Sequence, residues 1–318
     1  MSPDSKGRLG SGLAMALAGS IAFSGKAIIV KLAYRYNVDA VTLLMLRMLF
    51  ALPFFLAMAW WASRGKAPLT KRDWLGVIGL GVSGYYLASF LDFAGLQYIT
   101  ASLERLILYL NPTLVMGLGW LLYRKTFTRR QAAGMAVSYV GVLLVFGHEV
   151  RLEGANVALG AFLVLASAVS YAVYLVYSGE LVKRVGSLRL VGLATTIACV
   201  CCIAQFLALR PAASIFAVAP QVVWLSILNA SLCTAVPVLL VMMAIERIGP
   251  AVAAQSGMVG PMSTILMGVV ILGEPFTAWI AAGSVLVIAG IFVFSFKSKQ
   301  PKQPNAEGAE VSQKPQRN

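Results

Sequence analysis

Ten apolar runs joined by short connectors account for most of the chain: residues 12–34, 39–62, 74–98, 100–123, 129–147, 157–179, 187–209, 220–245, 249–272 and 277–296. An α-helix rises about 1.5 Å per residue, so roughly 20 apolar residues cross the ~30 Å hydrocarbon layer of a bilayer. In lipid no water satisfies backbone N–H and C=O groups, so spans of this length must be helical. With 59% hydrophobic and 12% charged residues and a mean hydropathy of +0.81, the chain has too little polar surface for a water-soluble fold. The fold class expected is an all-α integral membrane protein with ten transmembrane helices.

The first run follows Lys6 and Arg8 and has small residues like a cleavable signal, but it continues too far and a matched second helix follows, so it is expected to be retained. Residues 1–11 read as a cytoplasmic tail, and residues 297–318, polar and rich in Gln, Lys and Pro, as a disordered cytoplasmic one. The net charge of +14 is spread over connectors rather than gathered on one face, which excludes nucleic acid as a partner. Taking the N-terminus as cytoplasmic puts 19 of the 26 Lys and Arg residues on the inner side. Lys31, Arg35, Arg151 and Arg210 remain outside, so both termini are expected in the cytoplasm. Cys199, Cys201, Cys202 and Cys233 all lie in apolar runs and His148 is the one histidine, so neither disulfides nor a metal site are expected.

Sliding the chain on itself by 149 residues aligns 99–146 with 248–295 without a gap. Ile99, Pro112, Gly119, Phe127, Thr128, Ala132, Ala133, Gly134 and Gly141 fall on Ile248, Pro261, Gly268, Phe276, Thr277, Ala281, Ala282, Gly283 and Gly290. The chain therefore reads as two five-helix halves, 12–147 and 157–296. An odd number of helices per half makes the second half enter from the opposite side, so the halves are inverted repeats. That architecture implies two nearly equivalent packings, each open to one side, around a substrate site near the midplane.

The stretches "LERLILYLNPTLVMGLGWLLYRKTFTRRQAAGMAVSYVGVLLV" (103–145) and "GPAVAAQSGMVGPMSTILMGVVILGEPFTAWIAAGSVLVIAGI" (249–291) resemble the paired signature blocks of the EamA-type branch of the drug/metabolite transporter superfamily. The stretch Leu272–Thr277, "LGEPFT", is similar to that family's Leu-Gly-Glu after the ninth helix, whereas its first-half counterpart reads Tyr123, Arg124, Lys125. The resemblance covers about residues 10–296. It implies metabolite efflux, since YddG-type members are amino-acid exporters, although other members carry sugars or different metabolites.

Several motifs were weighed for chemistry. Gly79, Gly81 and Gly84 spell G-x-G-x-x-G, but inside an apolar span they serve close helix packing rather than phosphate binding. Pro112 and Pro261 lie about twelve residues into equivalent helices, as gating hinges or fixed kinks. Tyr171, Tyr174 and Tyr177 recur every three residues, and a shift of 148 sets Lys26 opposite Tyr174 and Phe23 opposite Tyr171. Cavity lining and ordinary helix packing both fit these tyrosines. Tyr85, Tyr86, Asn229, Thr234, Gln255 and Ser256 are further polar groups within spans.

The costliest feature is intramembrane charge. Lys26, Arg47, Asp92, Glu104 and Arg105 all fall roughly 6 to 12 Å below the outer edge when residues are counted from their helix ends. Facing lipid they would cost on the order of 10 kcal/mol together, so they are expected to face one another or a hydrated vestibule. Both a structural ion-pair network and an outer gate or carboxylate site fit, with Arg105 able to reach the interface. The expected function is export of small metabolites, foremost amino acids, by alternating access, with a sugar, nucleobase or lipophilic cation as the alternative. The substrate-cavity or gate candidates are Lys26, Arg47, Asp92, Glu104, Tyr171, Tyr174, Asn229 and Gln255. No Ser/His/Asp set, metal cluster or cofactor motif argues for an enzyme. The expected partners are a small-molecule substrate and membrane lipids, and the expected state is a monomer or weak homodimer in a bacterial cytoplasmic membrane.

Overall fold

The computed structural model describes residues 3–123, 128–153, 155–248 and 259–295. Among them every regular element is helical: α1 (Pro3–Tyr34), α2 (Ala40–Ser63), α3 (Lys71–Leu96), α4 (Ala101–Leu108, then Asn111–Tyr123), α5 (Arg129–Glu153), α6 (Ala155–Val185) and α7 (Ser187–Leu209). There follow α8 (Pro220–Ala230, Ser231–Ala235 and Val236–Ile248), α9 (Val259–Met267, then Gly268–Leu272) and α10 (Ala278–Ser295). Eight helices, α1 to α8, are long and apolar enough to cross a membrane. The apolar parts of α9 and α10 are shorter, Met262–Leu272 and Ala278–Gly290. Residues 249–258, the start of the expected ninth run, lie outside the described residues, as does the expected 297–318 tail.

The perimeter is apolar. Trp60, Trp61, Leu75, Phe162, Leu207 and Trp224 are all exposed, a surface that water would not tolerate and acyl chains solvate readily. This is a multi-pass α-helical membrane protein.

The helices pair in a pattern that maps onto itself when the two halves are exchanged. α2 packs on α7 and α5 on α10, while α1 packs on α8 as α6 packs on α3. Small residues allow the closest of these approaches. A Cβ on Gly141 would lie 2.7 Å from the Gly283 carbonyl oxygen, and one on Gly290 would lie 2.6 Å from that of Gly134. Within the G-x-G-x-x-G, a Cβ on Gly81 would meet the Ala194 carbonyl oxygen at 2.6 Å and one on Gly84 the Tyr174 ring, whereas Gly79 faces open space. Two of those three glycines therefore set helix packing.

Two third helices also share a local irregularity. α3 contains a π-turn at Gly81–Leu87 and α8 one at Ser231–Ala235, and a shift of 149 residues superposes them in sequence. A π-turn adds a residue to the turn, which re-aims the side chains around it. In α8 the Thr234 hydroxyl donates to the Asn229 carbonyl oxygen at 2.9 Å, satisfying an acceptor five residues earlier.

Pro112 does not kink the middle of a helix. α4 breaks at Tyr109 and Leu110, and Pro112 is the second residue of the segment that starts at Asn111. There its missing N–H has no intrahelical partner to lose. Pro261 falls in Val259–Met267, whose preceding residues lie outside the described ones.

Candidate functional site

Seven helices converge on a cavity of ≈ 320 Å³, lined by Phe23, Lys26, Arg47, Asp92, Arg105 and Tyr171 among others. Helix length alone brings its charges to one level. Lys26 lies two turns before the end of α1 and Arg47 two turns after the start of α2. Asp92 lies near the end of α3, and Glu104 and Arg105 lie in the first turns of α4. Asp39 fixes the start of α2 by accepting from Val41 N and Thr42 N at 3.0 and 3.2 Å. Thr100 fixes the start of α4 by accepting from Leu103 N at 3.0 Å. Both are side-chain N-caps, which satisfy N–H groups that a helix start leaves unbonded.

Four of the five charges form one network. Lys26 Nζ donates to Asp92 Oδ2 and lies 3.5 Å from Glu104 Oε1, while Arg105 Nε lies 3.8 Å from Glu104 Oε2. Two cations against two carboxylates leave this group neutral. All four side chains are nine-tenths buried or more, where removing one partner of a pair costs about 3 to 5 kcal/mol.

Arg47 stands apart from that network and lines the cavity, the second of the two arrangements expected for the charges. Its Nε donates to Thr234 Oγ1 at 3.2 Å and its guanidinium lies 5.2 Å from the Phe93 ring centre. Its Nη1 is buried without an acceptor, and among the described residues no carboxylate lies within 4 Å of it. Depth along a helix was legible from residue counts, but rotation about the axis was not, and rotation decides which charges meet.

The remaining candidates divide. Tyr171 lines the cavity, but Tyr174 sits behind it, its hydroxyl 3.1 Å from that of Tyr85 and its ring stacked on Tyr171 at 5.5 Å. Glu104 is fully buried behind the cavity wall. Asn229 is buried too, and holds Thr234 through its backbone rather than facing the cavity. Gln255 and Ser256 lie outside the described residues. Arg105, one of the five charges, lines the cavity, and so do Tyr109, Asn111, Ser167 and Thr195, which sequence reasoning had not singled out. Asn111 beside Pro112 was the available signal, since a polar residue at a helix break within an apolar run has no lipid-compatible place.

The two ends of the bundle differ in what lies next to the cavity. A second cavity of ≈ 410 Å³ shares Phe23, Tyr85, Arg105, Tyr109 and Val238 with the first and extends past Gly19, Val191 and Val241. Val191 lies near the start of α7 and Val241 in the last segment of α8, toward one end of the bundle, while Gly19 lies midway along α1. At the other end Tyr34 Oη donates to the Phe93 carbonyl oxygen at 2.6 Å, Lys31 Nζ to that of Ile99 at 3.0 Å, and Arg35 Nη2 to that of Leu272 at 2.7 Å. Glu274, from the "LGEPFT" stretch, lies at the same end. It accepts from Ala101 N at 2.7 Å, Ser102 N at 3.2 Å and Ser102 Oγ at 2.8 Å, and so caps α4. Gly273 permits that reach by adopting φ +73°, a left-handed conformation that suits glycine.

Known proteins agree with this picture. The chain is 32% identical over 271 residues to an uncharacterized transporter, YcbK, of Bacillus subtilis, covering 83% of this chain and 86% of that one. It is 23% identical over 254 residues to a protein of Salmonella typhimurium described as a "probable amino-acid metabolite efflux pump", covering 75% and 81%. A solved crystal structure shares the fold at a TM-score of 0.58 and 18% identity, with 90% of this chain and 98% of that one covered. The EamA-like transporter family matches residues 10–147 and again 158–296. With transporters rather than enzymes as its relatives and a family match across both halves, the chain belongs to the EamA-like transporter family.

Proposed function

We propose that the protein exports amino acids across a bacterial cytoplasmic membrane by alternating access, as two inverted five-helix repeats, 12–147 and 157–296, with both termini cytoplasmic. The observation that carries this reading is the buried, charged cavity at the meeting of the halves, which adjoins a second cavity on one side and is bounded on the other by hydrogen bonds between elements. Inverted repeats have two packings of similar energy, and the exchange symmetry of the helix pairs and the matched π-turns of α3 and α8 support such halves. The basic connectors make the end toward the second cavity the cytoplasmic one. An exporter that loads its cargo from the cytoplasm needs a state of this kind. The choice of amino acids draws on the name of the Salmonella relative and on the mixture of cations, carboxylates and aromatic rings at the cavity.

Counterflow in proteoliposomes tests the reading. The expected result is saturable exchange of at least one neutral amino acid. Flux of a sugar or nucleobase with no amino acid moving would transfer the reading to that substrate class. A reporter fused after Arg130 is expected in the cytoplasm and one after Arg210 outside. Both on one side would remove the inverted repeat.

A further inference from the structure

We infer that Arg47 holds the carboxylate of the transported solute, an assignment that deepens the transport reading above and rests on it. Among the described residues Lys26 and Arg105 are balanced in number by Asp92 and Glu104, Arg105 through a 3.8 Å ion pair that leaves its Nε and Nη2 without a hydrogen-bond acceptor. Arg47 is the excess positive charge, with no carboxylate of the described residues within ion-pair distance. Its side chain is 5% exposed and lines the cavity, yet Nη1 has no acceptor and no carboxylate of the described residues reaches it. A guanidinium held in that state within a membrane is costly unless an anion visits it.

The local structure prepares Arg47 for such a visit. The α8 π-turn brings Thr234 to Arg47 Nε, and Thr234 is itself held by the Asn229 carbonyl. With Nε fixed and the Phe93 ring 5.2 Å from the guanidinium, the planar group is oriented before any ligand arrives. Its remaining N–H groups form the fork that matches a carboxylate. A phosphate would also pair with a guanidinium, but its second charge would exceed the single positive excess here. Phe23, Phe55, Tyr171 and Val238 complete the wall and leave an apolar volume for the rest of the solute.

Binding to the purified full chain tests the assignment without relying on flux, read as the shift in thermal stability over a concentration series. Three probes of one shape are compared: L-leucine, L-leucinamide, which lacks the carboxylate, and 4-methylpentanoate, which lacks the amine. Corresponding trios are used for other neutral amino acids. The expected result is that the amides bind at least tenfold more weakly than the amino acids, and that Arg47→Gln abolishes this difference while Arg47→Lys keeps part of it. Equal binding of amide and acid by the unmodified protein, a preference that survives in Arg47→Gln, or no binding by any carboxylate would overturn the assignment. Should Arg47→Gln fail to fold, the comparison in the unmodified protein decides. If 4-methylpentanoate binds and no amino acid does, the carboxylate site stands and the amino-acid reading falls.

Discussion

At the end of the bundle that carries Tyr34, Ala101 and Leu272, three side chains reach backbone carbonyls of neighbouring helices and Glu274 caps α4 from the loop after α9. At the opposite end Arg184 pairs with Asp73 and Arg189 donates to Ser63 Oγ and to the Ala67 carbonyl oxygen, each at 3.0 Å, while Gly19, Val191 and Val241 line the ≈ 410 Å³ cavity. The family matches both halves of the chain, but the residues at corresponding positions differ in chemistry. The residue 149 positions before Glu274 is Lys125, and a cation cannot accept hydrogen bonds from a helix N-terminus, where the dipole is also positive. One end therefore carries a carboxylate latch that the other cannot copy. The difference teaches that two family-matched halves can carry different side chains at corresponding positions, so that Glu274 caps α4 at one end while Lys125 stands at the matching place in the first half.

The largest effect is expected at the level shared by both states. Lys26→Met strands the Asp92 carboxylate in a buried network and leaves Glu104 with Arg105 alone, a loss of about 3 to 5 kcal/mol for a buried pair. Flux is expected to fall more than tenfold at neutral pH, and adding Asp92→Asn is expected to restore part of it because the stranded charge is gone. Normal flux in Lys26→Met would show that the network is no part of the transport path.

The latch itself comes next. Glu274→Ala removes a carboxylate that accepts three hydrogen bonds, and bonds to a charged acceptor contribute about 1.5 to 3 kcal/mol each at most. In a background without the native cysteines, a cysteine at Ala101 is expected to react with an impermeant maleimide faster in Glu274→Ala than in its parent. Unchanged reactivity would mean that the contacts of Tyr34, Lys31 and Arg35 suffice to hold that end.

The smallest effect belongs to Asp39 beside the latched end. Partial burial alone would raise its pKa, but the Thr42 hydroxyl, the Thr42 backbone N–H and Arg210 together lower it below the usual carboxylate value. A lowered folded-state pKa gives stability that is present above the unfolded pKa, near 4, and is lost as pH falls through the folded value. Melting temperature is therefore expected to decline below about pH 4, and Asp39→Asn is expected to flatten that slope slightly. An identical slope in both proteins would remove Asp39 from the account.

Much of this arrangement could be read from sequence, for reasons that also mark the limit. Apolar runs define membrane helices because lipid leaves the backbone no alternative, and counting from helix ends set Lys26, Asp92 and Glu104 at one depth. The spans are apolar all round, so nothing in the pattern fixed their rotation, and it left open whether Arg47 pairs with the carboxylates or faces the cavity and whether Tyr174 lines the cavity or packs between helices. The break in α4 at Tyr109 and the π-turn that positions Thr234 arise from backbone hydrogen bonds that side-chain hydropathy does not encode. Glu274 was noticed as a motif, but its contact with Ala101 spans 173 residues and depends on packing between the halves.

The central claim is that the cavity is exposed to the two sides in turn. Cysteines replacing Arg35 and Leu272, whose side chain and carbonyl oxygen now meet at the latched end, can be bridged with a bis-methanethiosulfonate reagent in reconstituted protein. The account predicts that bridging stops amino-acid exchange, leaves ligand binding to the cavity intact, and is reversed by reduction. Exchange that continues at full rate with that end bridged would contradict it.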